Sequence, residues 1–207
     1  NYAILKSKNT VAVKVLEKLT PEYSYNFAKE KLGLESLVKS DMDYSPMALG
    51  GLTHGLTVME VTSAYSMFPN NGVRSSARLY TQVYDNGGNL LLETPEKHTI
   101  AISDSTASVM TRMLENVLNY GTGTGVTLRQ KMSVAGKTGS TNDDKDMYFA
   151  GYTPYYVAAC WFGYDTPKYL GRFSNPALHA WDLVMTKVHE KLIEHTGSNW
   201  SSLEKFD

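Results

Sequence analysis

The sequence predicts an α+β fold, an antiparallel sheet flanked by helices, on two observations. Apolar residues at helical spacing fill the first part of the chain and return at its end, and three consecutive strand-length runs lie between them. From Thr10, Val11, Val13, Val15, Leu16 and Leu19 alternate irregularly with charge, predicting a short helix that Thr20-Pro21 ends. Thr20 then caps a second helix opening on Pro21 and Glu22, with Phe27, Ala28 and Leu32 on one face and Gly33 as its stop. Residues 35–55 read as irregular. Thr57 opens a third helix through Val58, Val61, Tyr65 and Phe68, ended by Asn70-Asn71-Gly72. Asp85-Asn86-Gly87-Gly88 between runs at 79–84 and 89–93 predicts a hairpin, because Asn-Gly tolerates positive φ. Ser103 or Asp104 caps a helix reaching about Asn119, and 120–125 is a glycine loop. Strands at 133–139, 147–153 and 155–163, the last two joined at Thr153-Pro154, predict an antiparallel meander. A helix from about Pro176 to His195 closes the pattern, its apolar side given by Leu178, Trp181, Leu183, Val184, Val188 and Leu192.

Bulk properties exclude several classes. The 207 residues suffice for one globular unit, and 42% apolar with 20% charged residues is ordinary globular composition. A formal charge of −1, without long runs of one sign, offers no field for nucleic acid or an anionic membrane. The longest strongly apolar stretch, 155–164, falls well short of the roughly 20 residues a spanning helix needs. The single cysteine, Cys160, sits in a strand-like apolar run and reads as a structural thiol. The first residue is Asn, so the chain reads as cut from something longer.

Two short motifs carry chemistry. Lys137-Thr138-Gly139-Ser140 ends the first strand of the meander, placing a cation and two hydroxyls around a residue without a side chain. Such an edge can receive an extended peptide ending in a carboxylate, although an edge strand with a surface lysine and a turn glycine has the same letters. Ser7-Lys8-Asn9 is an S-x-N tripeptide, a pattern that also occurs at Ser24-Tyr25-Asn26 and that, in isolation, a polar cap before the helix near Thr10 explains better.

Context makes the pair specific. S-x-x-K, S-x-N and K-T-G together are the motif set of penicillin-binding proteins. The segment 6–13 resembles the S-x-N region of class A penicillin-binding proteins, and Ala48-Leu49-Gly50-Gly51-Leu52-Thr53-His54-Gly55-Leu56-Thr57 resembles their next landmark. Ser63-Ala64-Tyr65, Asn71-Gly72-Val73, the glycines of 121–125, the run 134–143 and Phe149-Ala150-Gly151-Tyr152 follow in the family's order. Trp161-Phe162-Gly163-Tyr164-Asp165 completes it, so the resemblance spans nearly the whole chain.

The resemblance implies the transpeptidase fold shared with serine β-lactamases, with residues 1–207 as its C-terminal portion from S-x-N onward. It implies acyl transfer: a serine attacks the D-Ala-D-Ala bond of a peptidoglycan stem peptide, an amine resolves the acyl-enzyme, and β-lactams acylate the same serine. Ser7 is expected to relay protons and Asn9 to bind the substrate amide. Lys137 is expected to hold a positive field over the carboxylate that Thr138 and Ser140 bind, Gly139 to let the ligand approach, and the Ser140 N–H to serve an oxyanion. Family members usually carry Thr at the Ser140 position, and Ser keeps the hydroxyl.

The family's S-x-x-K, source of nucleophile and base, lies N-terminal to S-x-N and has no room here. Ser36-Leu37-Val38-Lys39 and Ser202-Leu203-Glu204-Lys205 match the letters but lie on the wrong side of Ser7. This chain alone is therefore expected to be inert, to require an N-terminal S-x-x-K portion as partner, and to expose apolar surface without it. The glycosyltransferase domain and the membrane helix that would anchor the protein on the outer face of the bacterial cytoplasmic membrane are expected outside it. A non-catalytic module that binds stem peptide or a protein is the rival, and a β-lactamase a remoter one, because the tract 48–71 resembles transpeptidases.

No cofactor or metal is called for. The glycine loop lacks the Gly-Lys-Ser/Thr of a nucleotide cradle and reads as a flexible approach to the Lys137 strand. Asp143, Asp144 and Asp146 depart from the calcium-loop template and read as a solvated turn. His189 and His195, six apart, read as surface histidines. Tyr152, Tyr155, Tyr156, Trp161 and Tyr164 read as packing residues of the sheet rather than a stacking platform.

Overall fold

The computed structural model describes residues 1–141, 143–171 and 174–206; Asn142, within the resemblance at 134–143, lies outside the described residues. The chain is α+β. A short helix α1 (Tyr2–Leu5) precedes α2 (Asn9–Leu19) and α3 (Pro21–Glu30), then α4 (Tyr44–Leu49) and α5 (Val58–Tyr65). Short strands β1 (Val73–Ser75), β2 (Gln82–Tyr84), β3 (Leu90–Glu93) and β4 (His98–Ile100) lead to α6 (Asp104–Tyr120). The meander β5 (Ala135–Ser140), β6 (Asp146–Tyr152), β7 (Val157–Gly163) and the helix α7 (Pro176–Thr196) follow.

Local chemistry sets the boundaries. The Thr20 hydroxyl accepts the Tyr23 N–H and Ser103 that of Thr106, as capping predicts. Thr57 and Glu60 form a reciprocal box at the start of α5, and Glu60 also accepts the N–H and hydroxyl of Ser36 at 2.7 Å each. That helix ends at Tyr65, one turn short of Phe68. Residues 35–55 are more ordered than expected: Asp43 accepts the Tyr44 N–H at 2.7 Å and Gly50 closes α4 at φ +81°. A fully buried carboxylate, Asp41, holds the approach to it. Burial alone would raise its pKa, but hydrogen bonds from Val38, Thr53 Oγ1 and the Thr53 N–H lower it below the usual value. The β1–β4 pair was not foreseen, because three-residue strands carry no readable alternation. β7 begins at Val157 rather than Tyr155, since the Thr153 hydroxyl accepts the N–H groups of Tyr155 and Tyr156 in a turn.

The meander runs β5-β6-β7, antiparallel, with Lys137 opposite Ala150 and Ala150 opposite Ala159. Phe149 and Gly151 face α7, where Trp181, Ala177, Leu178 and Met185 pack with Leu118, Val126 and Leu128. On the other face Tyr152 and Ala135 pack with Leu114 and Val117 of α6, with Phe68 stacked on Tyr152 at 5.8 Å. A smaller cluster of Ala28, Leu34, Leu37 and Ala64 sits under α3 and α5. Tyr152 is core, as expected, whereas Trp161 and Tyr164 are exposed. Cys160 is half-buried against the α7 cluster, and burial pushes its thiol pKa up.

α7 corrects two expectations. Its buried stripe is Ala177, Leu178, Trp181, Asp182, Met185 and His189, while Leu183 and Val184 are 61% and 54% exposed. The helix is apolar on two sides, and periodicity could not say which one meets the sheet. His189 is fully buried rather than a surface histidine, since it falls on the stripe of Trp181 and Met185; His195 is exposed. The Nδ1 of His189 lies 2.7 Å from Met185 O and the Nε2 of His189 lies 3.0 Å from Thr153 Oγ1. A neutral ring donating from Nδ1 and accepting at Nε2 satisfies both. Burial depresses its pKa below 6.5, so the unfolded chain binds the proton more tightly. Stability is then lost as pH falls from about 6.5 toward the folded pKa. We expect the melting temperature of the native chain to drop between pH 7 and pH 5 and that of His189→Gln to drop less; parallel profiles would refute this role.

Apolar surface is left uncovered on α7 and on α2, where Val15 and Leu19 are 52% and 46% exposed. Among the described residues no helix is long and apolar enough to cross a membrane.

Candidate active site

The chain brings Ser7 and Lys137, 130 residues apart, into a hydrogen bond. Lys137 Nζ donates to Ser7 Oγ at 3.0 Å and to the Thr138 carbonyl at 2.8 Å. Ser7 occupies the turn between α1 and α2 at φ +51°, a left-handed conformation uncommon for a residue with a side chain. The turn is fixed from behind: Lys6 Nζ donates to Tyr120 O at 3.3 Å, and Leu5 O abuts Gly121. Asn9 opens α2 as its first residue and is exposed. Among the described residues no hydrogen bond joins it to Ser7 or Lys137, so only chain continuity places it beside them.

β5 displays the rest. Lys137 lies on the Ala150 face of the sheet; Thr138 and Ser140, one residue out of phase, lie on the Phe149 face. Register with β6 therefore decides which side chain meets Ser7. β5 is the end of its sheet, and the Thr141 N–H bonds Asp146 O in the ladder with β6. By antiparallel alternation the N–H groups of Ser140 and Thr138 point instead to the open edge. Gly139 and Ser140 are exposed there. Tyr148, on the same face as Lys137, donates to Leu56 O at 2.7 Å, tying the segment after α4 to the sheet. Burial lowers the pKa of Lys137 below that of an ordinary lysine.

The edge thus offers a partly desolvated cation, two hydroxyls and outward N–H groups, a set suited to an anion at the end of an extended chain. Neither S-x-x-K serine joins it. The Ser36 hydroxyl donates to Glu60, and Ser202 donates to Asn199 O in its own turn. Asp143 pairs with Lys145 at 3.0 Å and Asp146 accepts the Trp161 indole N–H at 2.9 Å. The glycine loop is packed rather than loose, and its Thr122 lies 2.7 Å from Thr138, a contact that no sequence pattern announced.

Comparison with known proteins agrees with this architecture. The solved penicillin-binding protein 1A of Haemophilus influenzae shares the fold, with TM-score 0.74 at 19% identity over 90% of this chain and 33% of that one. The D,D-transpeptidase domain of a peptidoglycan glycosyltransferase from Eggerthella lenta superposes with TM-score 0.68 at 19% identity, over 92% of this chain and 53% of the other. Penicillin-binding protein 1A of Clostridium botulinum is 35% identical over 192 residues, 92% of this chain, which spans 23% of that relative's length. The profile of the penicillin binding protein transpeptidase domain matches residues 1–171, a stretch that contains Ser7, Asn9 and the whole of the Lys137 strand. With 35% identity carried over nearly its full length, the chain belongs to the transpeptidase domain family of penicillin-binding proteins.

Proposed function

We propose that the chain supplies the proton-relay and carboxylate-binding part of a serine D,D-transpeptidase site, whose S-x-x-K nucleophile comes from a segment outside these residues. The observation that carries the reading is the Lys137–Ser7 hydrogen bond of 3.0 Å, which joins the S-x-N turn to the K-T-G strand. In this reading a stem peptide ending in D-Ala-D-Ala lies along the open edge of β5. Its carboxylate meets the Thr138 and Ser140 hydroxyls in the field of Lys137, and Asn9 binds its amide. The external serine oxygen bonds to the penultimate carbonyl carbon while the external lysine takes its proton. The Ser140 N–H stabilises the oxyanion. As the C–N bond breaks, the departing D-Ala nitrogen receives a proton through the Ser7 hydroxyl. The amine of a second stem peptide then bonds to the acyl carbon, the bond from that carbon to the serine oxygen breaks, and the proton the amine loses returns to the serine, leaving the cross-link. A β-lactam follows the first half of this course and remains attached to the serine.

The uncovered apolar faces of α7 and α2 are where the nucleophile-bearing portion packs in this proposal. The membrane anchor, on the outer face of the cytoplasmic membrane, belongs to the same external portion. Intact mass under denaturing conditions, before and after a fluorescent penicillin, tests the assignment. Mixed with or joined to a polypeptide carrying S-x-x-K, the chain is expected to leave the adduct on that polypeptide. By itself it is expected to gain no mass. An adduct on Ser36 or Ser202 would overturn the external nucleophile, and no adduct in the joined protein would leave a non-catalytic binding module.

A further inference from the structure

The segment following α6 touches both halves of the site. The N–H groups of Gly121 and Gly123 both donate to Val117 O, at 3.0 and 3.1 Å. A Cβ at Gly121 would stand 2.5 Å from Leu5 O, beside the Ser7 turn, and one at Gly123 would stand 2.4 Å from Leu118 Cδ2. Only residues without side chains allow so close an approach. Between them Thr122, exposed, presents Oγ1 at 2.7 Å from Thr138 Oγ1. A loop clamped at both glycines therefore delivers one hydroxyl to the strand that carries Lys137.

Each of the two hydroxyls has a single proton, so one must donate to the other. If Thr138 donated to Thr122, its proton would be spent and it could offer an arriving carboxylate only lone pairs. If Thr122 donates, Thr138 keeps its proton for the anion, and the two O–H dipoles align in a chain that polarises the outer one. A carboxylate selects the second arrangement. We propose that Thr122 is a positioning residue of the carboxylate site, acting through Thr138 to aim its hydroxyl at the substrate anion. The inference rests on the transpeptidase reading of β5.

Thr122→Val keeps the branched shape and removes the donor, and Thr122→Ser restores it. Thr122 is exposed, so neither substitution removes buried volume. In the full-length protein that joins this chain to its nucleophile segment, the efficiency of acylation by benzylpenicillin is expected to fall about 3- to 10-fold in Thr122→Val, through weaker binding. Thr122→Ser should recover most of it. Toward the methyl ester of the same penicillin, which has no anionic carboxylate, the variant and the unsubstituted protein should react alike. A valine variant unchanged toward both compounds, or impaired equally toward both, would overturn the assignment while the unsubstituted protein still acylates. Failure of the unsubstituted protein to acylate at all would instead sink the transpeptidase reading, and this inference with it.

Discussion

Lys137→Met is expected to lower the rate of β-lactam acylation by about 100- to 1000-fold in the joined protein while leaving its melting temperature unchanged or raised. On the proposed reading the rate falls because the variant loses both the cation assigned to the carboxylate and the donor that holds Ser7 Oγ at 3.0 Å. The fold survives because the charge is a burden on it. Burial depresses the lysine pKa, so the folded chain binds the proton less tightly than the unfolded chain. Stability therefore rises as pH climbs from the folded pKa toward the unfolded one, and at neutral pH the charged amine opposes folding. Methionine fills the same unbranched space without that cost. The depressed pKa has a second consequence. Acylation by the native protein should fade on the alkaline side with a midpoint below the ordinary lysine value of about 10.4, and the variant should show no such limb. A variant that acylates normally would remove Lys137 from the site. One that melts well below the native protein would mean that the Ser7 and Thr138 bonds contribute more than desolvation costs.

How much of this was legible follows from what each element encodes locally. Thr20-Pro21, Thr57 and Ser103 announce helix starts because the cap is a bond within four residues. The meander was readable from its strand-length runs, and its register then placed Lys137 and Thr138 on opposite faces. The α4 turn was missed even though Asp43 and Gly50 mark its ends, because its six residues are too few for periodicity to register. Which side of α7 is buried was not legible, since Leu183, Val184 and Val188 look as apolar as Trp181 and Met185. His189 looked like a surface residue because its partner, Thr153, lies in another element. Motifs mark Ser7, Asn9 and 137–140 as candidates, but the contact from Thr122 to Thr138 spans 16 positions and depends on how Gly121 and Gly123 pack. That is tertiary information.

Trp181→Ala is expected to destabilise the chain by about 3–5 kcal/mol, a large share of the 5–15 kcal/mol that holds a typical domain together. The ring is completely buried, meets Phe149 edge-on at 5.1 Å, and donates its N–H to Ala158 O at 3.0 Å. The sheet is shaped to receive it: Gly136 and Gly151 face each other across β5 and β6, and a Cβ at Gly151 would stand 3.0 Å from Trp181 Cζ2. Alanine would leave a void that this clamped surface cannot close, and the Ala158 carbonyl would lose its indole partner. Trp181→Phe, which keeps an aromatic ring against Phe149, should lose less. Chemical denaturation of both variants measures the difference. Acylation by the alanine variant should fall with its folded fraction and recover at low denaturant and temperature, the reverse of Lys137→Met, in which chemistry is lost and the fold kept. If Trp181→Ala instead melted within about 1 kcal/mol of the native chain, α7 would be held mainly by its polar anchors. Those are Asp182, which accepts from Leu128 N and Thr127 Oγ1, and His189 at Thr153, and the aromatic cluster would then be filling rather than support.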